Sequence, residues 1–266
     1  MNQSVSDRIL VGAGGEAREI AVLARPGDNP GLVWLGGYRS DMTGSKAEAV
    51  DAHAAERGLA VLRLDYSGHG ASGGRFEDGT ISRWLEEAQA AFEARTSGPQ
   101  IVIGSSMGGW IALLLAEALC DTGRLAGLVL IAPAADMTHD LMWAGMDDDA
   151  RETITRDGVL HVPNDYSDEP YPITLALIED GKRHLFGDRL IETGCPVHIL
   201  QGVEDTDVPW QHAAKLVTHL ASDDVVLTLI KDGDHRLSRP QDLARLTRAL
   251  DDMAAEIRSW RTIGNG

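Results

Sequence analysis

The sequence predicts an α/β protein: a mostly parallel sheet with helices packed on both of its faces. Two observations carry that reading. Short apolar runs alternate with segments of helical period along most of the chain, the pattern that βαβ units leave in a sequence. The composition, 43% hydrophobic and 24% charged over 266 residues, supplies a large core and argues against a disordered chain.

The strand-like runs are Glu19–Ala24, Gly31–Leu35, Ala60–Leu64, Gln100–Ile103, Leu125–Ile131, Val197–Leu200 and Val225–Ile230, each four to seven residues long. Between them lie helical patterns at Ser45–Glu56, Ile81–Ala94, Met107–Leu119, Pro209–Leu220 and Pro240–Trp260. Pro209 and Pro240 suit a first helical turn, where the missing N–H has no intrahelical partner to lose. Right-handed crossovers follow from the usual handedness rule. One stretch, from about Asp136 to Thr193, breaks the alternation. It shows no clear strand, carries Met142, Trp143, Met146, Tyr166 and Tyr171 among polar residues, and is interrupted by Pro163, Pro170 and Pro172. It is too long for a plain loop in a compact domain. It reads as a helical cap (136–193) inserted into a single domain spanning 1–266, with an extra helix pair on the sheet edge as the alternative. Asp147–Asp149 reads as a solvated helix start, since no histidine lies near it at ligand spacing.

Charge narrows the function classes. With 24 basic and 41 acidic side chains the net charge is −17, which repels nucleic acid and anionic membrane surfaces. Cys120 and Cys195 are too few for a disulfide framework or an all-cysteine zinc site, and both read as buried core thiols. The N-terminal MNQSVSDRIL lacks a basic segment followed by an apolar stretch, and no run approaches the roughly 20 apolar residues that span a bilayer. The expectation is a cytoplasmic enzyme or binding protein that neither inserts into membranes nor binds nucleic acid.

In an open parallel sheet, ligands bind outside the carboxyl ends of the strands, so the residues after each strand are the informative ones. Gly104-Ser105-Ser106-Met107-Gly108 matches G-x-S-x-G, with a β-branched strand before it and an apolar helix after it. A serine on such a tight turn exposes its hydroxyl, and the following N–H sits at a helix N-terminus that favours an oxyanion. Gly70-Ala71-Ser72-Gly73-Gly74 matches the same pattern, but it lies in a glycine-rich stretch that opens no helix. Ser106 is therefore the candidate nucleophile. A helix N-cap serine is its bland alternative.

A serine needs a base, and the base needs an orienting carboxylate. On this architecture the order is Ser, then Asp or Glu, then His. The loop after Val197–Leu200 offers Glu204, Asp205 and Asp207. The spacing Gly202-x-x-Asp205-x-x-Val208-Pro209 favours Asp205 as the acid and leaves Asp207 as a helix cap; Asp136, after Leu125–Ile131, is a further alternative. The loop after the last strand, KDGDHRLSRP, places His235 as the base. Gly31–Leu35 runs into Gly36-Gly37-Tyr38-Arg39-Ser40, so the N–H groups of Tyr38 and Met107 are the candidate oxyanion donors. Arg39 and Ser105 are the candidate substrate contacts; a plain surface position is the other reading of Arg39. The Tyr38 side chain packs or hydrogen-bonds locally. This chemistry requires no metal and no organic cofactor.

These motifs resemble the serine α/β-hydrolase superfamily. WLGGYRSDMTGSKA, LRLDYSGHGASGG, the ISRWLEE helix, GPQIVIGSSMGGW, GVEDTDVPW and GDHRLS together are similar to the α/β-hydrolase-domain-containing protein ten family and its bacterial relatives. The resemblance runs from about Gly31 to the last helix. It implies an α/β-hydrolase fold with an eight-stranded sheet, and Ser106, Asp205 and His235 on that family's nucleophile, acid and base positions. It further implies an esterase or thioesterase whose partner is a small ester or thioester, an acyl glucuronide or an S-acylated protein. A short-chain carboxylesterase, a peptidase on the same fold and a low-turnover small-molecule receptor are the rival readings.

Overall fold

A computed structural model describes residues 4–164, 167–221 and 224–263. Every apolar run becomes a strand. In chain order the elements are β1 (Val5–Val11), β2 (Arg18–Arg25), β3 (Asp28–Leu35), α1 (Ser45–Arg57), β4 (Leu59–Leu64), α2 (Ile81–Arg95), β5 (Gln100–Ser105), α3 (Met107–Leu119) and β6 (Leu125–Ile131). They continue as α4 (Asp148–Asp157), β7 (Val159–Asn164), β8 (Ser167–Thr174), α5 (Leu175–Gly181), β9 (Val197–Gly202), α6 (Trp210–His219), β10 (Val225–Ile230) and α7 (Pro240–Ile263).

Eight strands form one sheet in the order β1-β2-β4-β3-β5-β6-β9-β10. The β1–β2 and β2–β4 pairs are antiparallel and the remaining pairs parallel. β1 escapes the periodicity argument for a physical reason. It is an edge strand on which only Ile9 and Val11 are buried, so VSDRILV never forms an apolar run.

The central strands read as continuous apolar runs because both faces are covered. On β3, Val33 and Leu35 point into a core with Trp84, Phe92 and Trp110 from α2 and α3. Leu32 and Trp34 point the other way, against Ala47 and Val50 of α1 and Leu250 and Met253 of α7. β5 alternates likewise, with Val102 on the first face and Ile101 and Ile103 on the second.

The stretch 136–193 corrects the all-helical expectation. Beside α4 and α5 it holds an antiparallel hairpin, β7–β8, and a small core of Met146, Ile154, Ile173 and Ile178. Pro163, Pro170 and Pro172 hid these strands from the sequence. In a two-stranded ribbon every strand is an edge, so a proline that cannot donate to a ladder is tolerated. Ser82 on α2 ties the segment down: its hydroxyl lies 2.8 Å from Asp180 Oδ1 and 2.7 Å from His184 Nε2. Tyr166 lies outside the described residues. Asp147 caps α4 through the Ala150 N–H, as expected of a solvated helix start. α6 is capped by Pro209, not Asp207. Cys120, expected in the core, is half-exposed where α3 ends; Cys195 is buried, and burial pushes its thiol up to about 12.

Candidate active site

The sheet order reverses between β3 and β5: the chain leaves β3 for β4 on one side and returns to β5 on the other. The carboxyl ends of these two strands therefore bound a crevice, the expected ligand position in an open α/β sheet. Ser106 follows β5 and Gly36–Ser40 follows β3, so the topology brings both loops to one place.

Ser106 has φ 53° and ψ −118°, backbone space that a residue with a side chain rarely occupies. Its main chain is over-determined. The Ser106 N–H donates to the Ile131 carbonyl at 2.8 Å, and its carbonyl accepts from Gly109 and Ala134 at 2.8 and 3.1 Å. The flanking glycines are sterically required. A Cβ on Gly104 would strike the Gly108 carbonyl, and one on Gly108 would strike the carbonyls of Leu35 and Gly36. That second contact also measures how closely the first turn of α3 approaches the loop after β3.

His235, on the loop between β10 and α7, lies with Nε2 3.1 Å from Ser106 Oγ and Nδ1 2.9 Å from Asp205 Oδ2. A carboxylate accepts, so the ring proton belongs on Nδ1 and the Nε2 lone pair faces the serine hydroxyl. Asp205 is buried and its lone pairs are occupied. Oδ1 accepts from the Asp207 and Val208 N–H groups at 3.0 and 2.8 Å, and Oδ2 from Gln201 Nε2 at 3.0 Å as well as from His235. Asp205, Asp207 and His235 place potential ligand atoms within 4.8 Å of one another. With four N–H donors already on it, the Asp205 carboxylate serves as an acceptor that fixes the imidazole rather than as an open cation ligand.

The other candidates separate cleanly. Ser72 is a structural hydroxyl: it accepts from the Ala21 N–H at 2.8 Å and donates to the Asp65 carbonyl at 2.6 Å. The Asp136 carboxylate accepts from Phe186 and Gly187 N–H groups at 2.9 and 2.8 Å and holds the 136–193 segment instead. His212 binds the Ala135 carbonyl at 2.8 Å, and His198 contacts Glu256 at 3.1 Å.

Met107 opens α3, so its N–H has no intrahelical acceptor. Among the described residues neither that N–H nor the N–H of Tyr38 has a hydrogen-bond partner. The Tyr38 ring packs edge-on against Phe76, Trp84 and Tyr171, and burial pushes its hydroxyl well above the usual tyrosine range. The ring thus packs, one of the two expectations for this side chain, and its hydroxyl donates to the sequence-distant Pro172 carbonyl at 2.7 Å, which ties β8 to the loop. Arg39 is exposed, with its guanidinium 5.9 Å from the Phe76 ring. It lines a polar cavity of about 380 Å³ with Asp41, His69, Glu77, His161 and Pro172, whose lining does not include Ser106. Ser105 is not brought to that cavity. It is buried, and the strand alternation sets it on the α1 and α7 face with Ile101 and Ile103.

Three contributors escaped the sequence reading. Gln201 donates to the Asp205 carboxylate and to the Val208 carbonyl; a lone amide closing an apolar strand was its only signal. Lys46, from α1, donates to the Arg236 carbonyl and pins the loop of His235; burial lowers its ammonium to about 8. His69, set aside because it precedes the serine, binds the Arg39 N–H. Arg239, close in sequence to His235, is paired with Asp232 and Asp242.

A serine on a strand-to-helix turn, bonded through a histidine to a buried aspartate, on an eight-stranded mostly parallel sheet, defines a class of hydrolase. The chain belongs to the alpha/beta hydrolase family, whose model matches residues 22–246. It is 33% identical over 243 residues to the palmitoyl-protein thioesterase ABHD10, mitochondrial, of Mus musculus, covering 91% of this chain and 81% of that one. Among solved structures it is similar to a protein of Agrobacterium vitis S4 described as a hydrolase (52% identity, TM-score 0.91, 94% of this chain and 98% of that one). It is also similar to mouse alpha/beta hydrolase domain-containing protein 10 (30%, TM-score 0.85, 94% and 99%). The expectation of a cytoplasmic location is corrected by the curated ABHD10 relatives, which are named as mitochondrial and point away from it. Among the described residues no helix is long and apolar enough to cross a membrane.

Proposed function

We propose that this protein is a serine hydrolase that cleaves carboxylic esters and thioesters through an acyl-enzyme. One observation carries the reading: the unbroken hydrogen-bonded line from Asp205 Oδ2 through His235 to Ser106 Oγ, 2.9 and 3.1 Å, ending on a serine held at φ 53°.

Ser106 Oγ attacks the substrate carbonyl carbon as His235 Nε2 takes its proton. Asp205 keeps the imidazole in the Nδ1–H tautomer and stabilises the imidazolium that forms. The N–H groups of Met107 and Tyr38 receive the oxyanion, each worth about 3–4 kcal/mol in the transition state. His235 then delivers its proton to the departing alcohol or thiol. A water molecule, activated by the same histidine, releases the acid and restores Ser106. Every proton moves between named atoms, so the cycle closes without a cofactor. Arg39, which lines the polar cavity, is the residue to meet an anionic group of the substrate.

The ABHD10 relatives are named palmitoyl-protein thioesterases, which supports S-acylated protein as the substrate to try first, with acyl-CoA-like thioesters and acyl glucuronides tried beside it. The test is a panel of p-nitrophenyl esters, acyl-CoA thioesters and acyl glucuronides with wild type and Ser106→Ala. Hydrolysis by wild type alone, with fluorophosphonate labelling mapped to Ser106, supports the reading; full activity in Ser106→Ala, or a label on Ser72, overturns it.

A further inference from the structure

The loop after β3 carries two glycines and then a strained residue. Arg39 has φ 58°, the left-handed region, without being glycine. Such a conformation persists only where neighbours enforce it. The turn is closed on one side by the Ser40 N–H and hydroxyl, which both donate to the Gly37 carbonyl at 3.2 and 3.0 Å. On the other side the Arg39 N–H donates 3.1 Å to His69 Nε2.

His69 is built to accept that bond. It is 4% exposed and packs edge-on against Tyr66, Phe76 and Trp84. Its Nδ1 lies 3.1 Å from the Ser67 carbonyl. A carbonyl only accepts, so the ring proton must sit on Nδ1, which leaves Nε2 with its lone pair toward Arg39. Ser67 is fixed in turn: its N–H donates 2.8 Å to Glu87 Oε2, and Glu87 is wholly buried beside Arg18. Burial holds the His69 imidazole down at about 4, so the acceptor stays neutral across the physiological range.

We propose that His69 is a positioning residue for the second oxyanion donor: its Nε2 lone pair holds the Arg39 N–H, keeps Arg39 in the left-handed conformation, and so aims the adjoining Tyr38 N–H at the oxygen that develops charge when Ser106 attacks. The inference rests on the serine-hydrolase reading. It assigns work to a histidine whose hydrogen bonds run to Arg39 and Ser67 rather than to Ser106. The effect belongs to the transition state, because a misaimed Tyr38 N–H loses its hold on the oxyanion and leaves substrate binding nearly unchanged.

Two variants of the full chain separate this role from mere packing. His69→Phe keeps an aromatic ring in the cluster and deletes both hydrogen bonds. His69→Gln carries an amide oxygen that reaches the Nε2 position. With p-nitrophenyl esters, His69→Phe is expected to lose about 10²-fold in kcat with KM within about threefold, and His69→Gln to regain most of the loss. A His69→Phe kcat within about threefold of wild type overturns the inference, as does an equal loss in two folded variants. Should His69→Phe fail to fold, 15N spectra of the wild-type imidazole still decide. An unprotonated Nε2 supports the assignment, and a proton on Nε2 overturns it. Wild type that neither hydrolyses ester nor takes a fluorophosphonate on Ser106 overturns the hydrolase reading and this inference with it. An active, labelled wild type beside a fully active His69→Phe overturns this inference alone.

Discussion

Asp205→Asn changes one atom and reverses a hydrogen-bond pattern. Asp205 Oδ1 accepts two main-chain N–H groups, from Asp207 and Val208, so an asparagine at this position keeps its oxygen there. Its NH2 then faces two donors, His235 Nδ1 at 2.9 Å and Gln201 Nε2 at 3.0 Å. Gln201 has no useful way to turn, because its amide NH2 also donates to the Val208 and Gly202 carbonyls at 2.9 and 3.1 Å. Rotating it would set an oxygen against both. His235 relieves the clash by moving its proton from Nδ1 to Nε2, which then points a hydrogen at Ser106 Oγ and leaves the serine without a base. Loss of the productive tautomer in such a triad costs roughly 10⁴-fold in kcat, about 5.5 kcal/mol of barrier. The new amide still faces Gln201 Nε2 without an acceptor between them, so the fold is kept but loses about 1–3 kcal/mol and the thermal midpoint falls by a few degrees. Steady-state hydrolysis of p-nitrophenyl acetate beside thermal melts measures both quantities. Activity within about tenfold of wild type would refute the assigned roles of Asp205 and Gln201.

Other outcomes follow from single contacts. Ser72→Ala removes a hydroxyl that binds Ala21 and Asp65, so it is expected to cost about 1–2 kcal/mol in urea unfolding while kcat stays within about threefold; a collapse of activity would point to the wrong serine. Glu87→Leu strands Arg18, which retains Glu86 and two carbonyls. A loss of about 3 kcal/mol is expected, with the double change Arg18→Met/Glu87→Leu recovering at least half. Acidification tests His69. Its histidine in the unfolded chain takes a proton near 6.5, while the folded one resists until about 4, so the unfolded state binds more protons across that window. Stability therefore falls as pH drops from 6.5 to 4, by up to about 3 kcal/mol from this group. Urea titrations of wild type and His69→Phe that run parallel across the window would contradict the buried neutral imidazole.

Much of the framework was legible because it is written in neighbouring residues. Alternating helical and strand periods gave the parallel sheet, and the glycines around Ser106 announced a tight turn between β5 and α3. The loops after β5, β9 and β10, in that chain order, mark Ser106, Asp205 and His235 as the candidates. What stayed hidden has a common physical character. β1 is half-exposed, so its side chains lack an apolar run. β7 and β8 contain prolines that only an edge strand tolerates.

The sequence by itself determined the apolar strands of the sheet, the helices between them and the short list of reactive side chains, since backbone period, turn stereochemistry and residue chemistry act over a few adjacent positions. Only the tertiary structure shows which partners these side chains meet, Ser106 and Asp205 with His235, Ser72 with Ala21, Asp136 with Phe186 and Gly187, because those partners lie far away in the chain. His235 meets Ser106 across 129 residues, Tyr38 meets Pro172 across 134, and Ser72 is claimed by Ala21 across 51. The same holds for His69, whose place in the chain argued against a catalytic role and whose bond to Arg39 gives it a different one. A hydrogen bond needs a distance and a direction, and both arise only when strand order brings two separate loops to the same edge of the sheet.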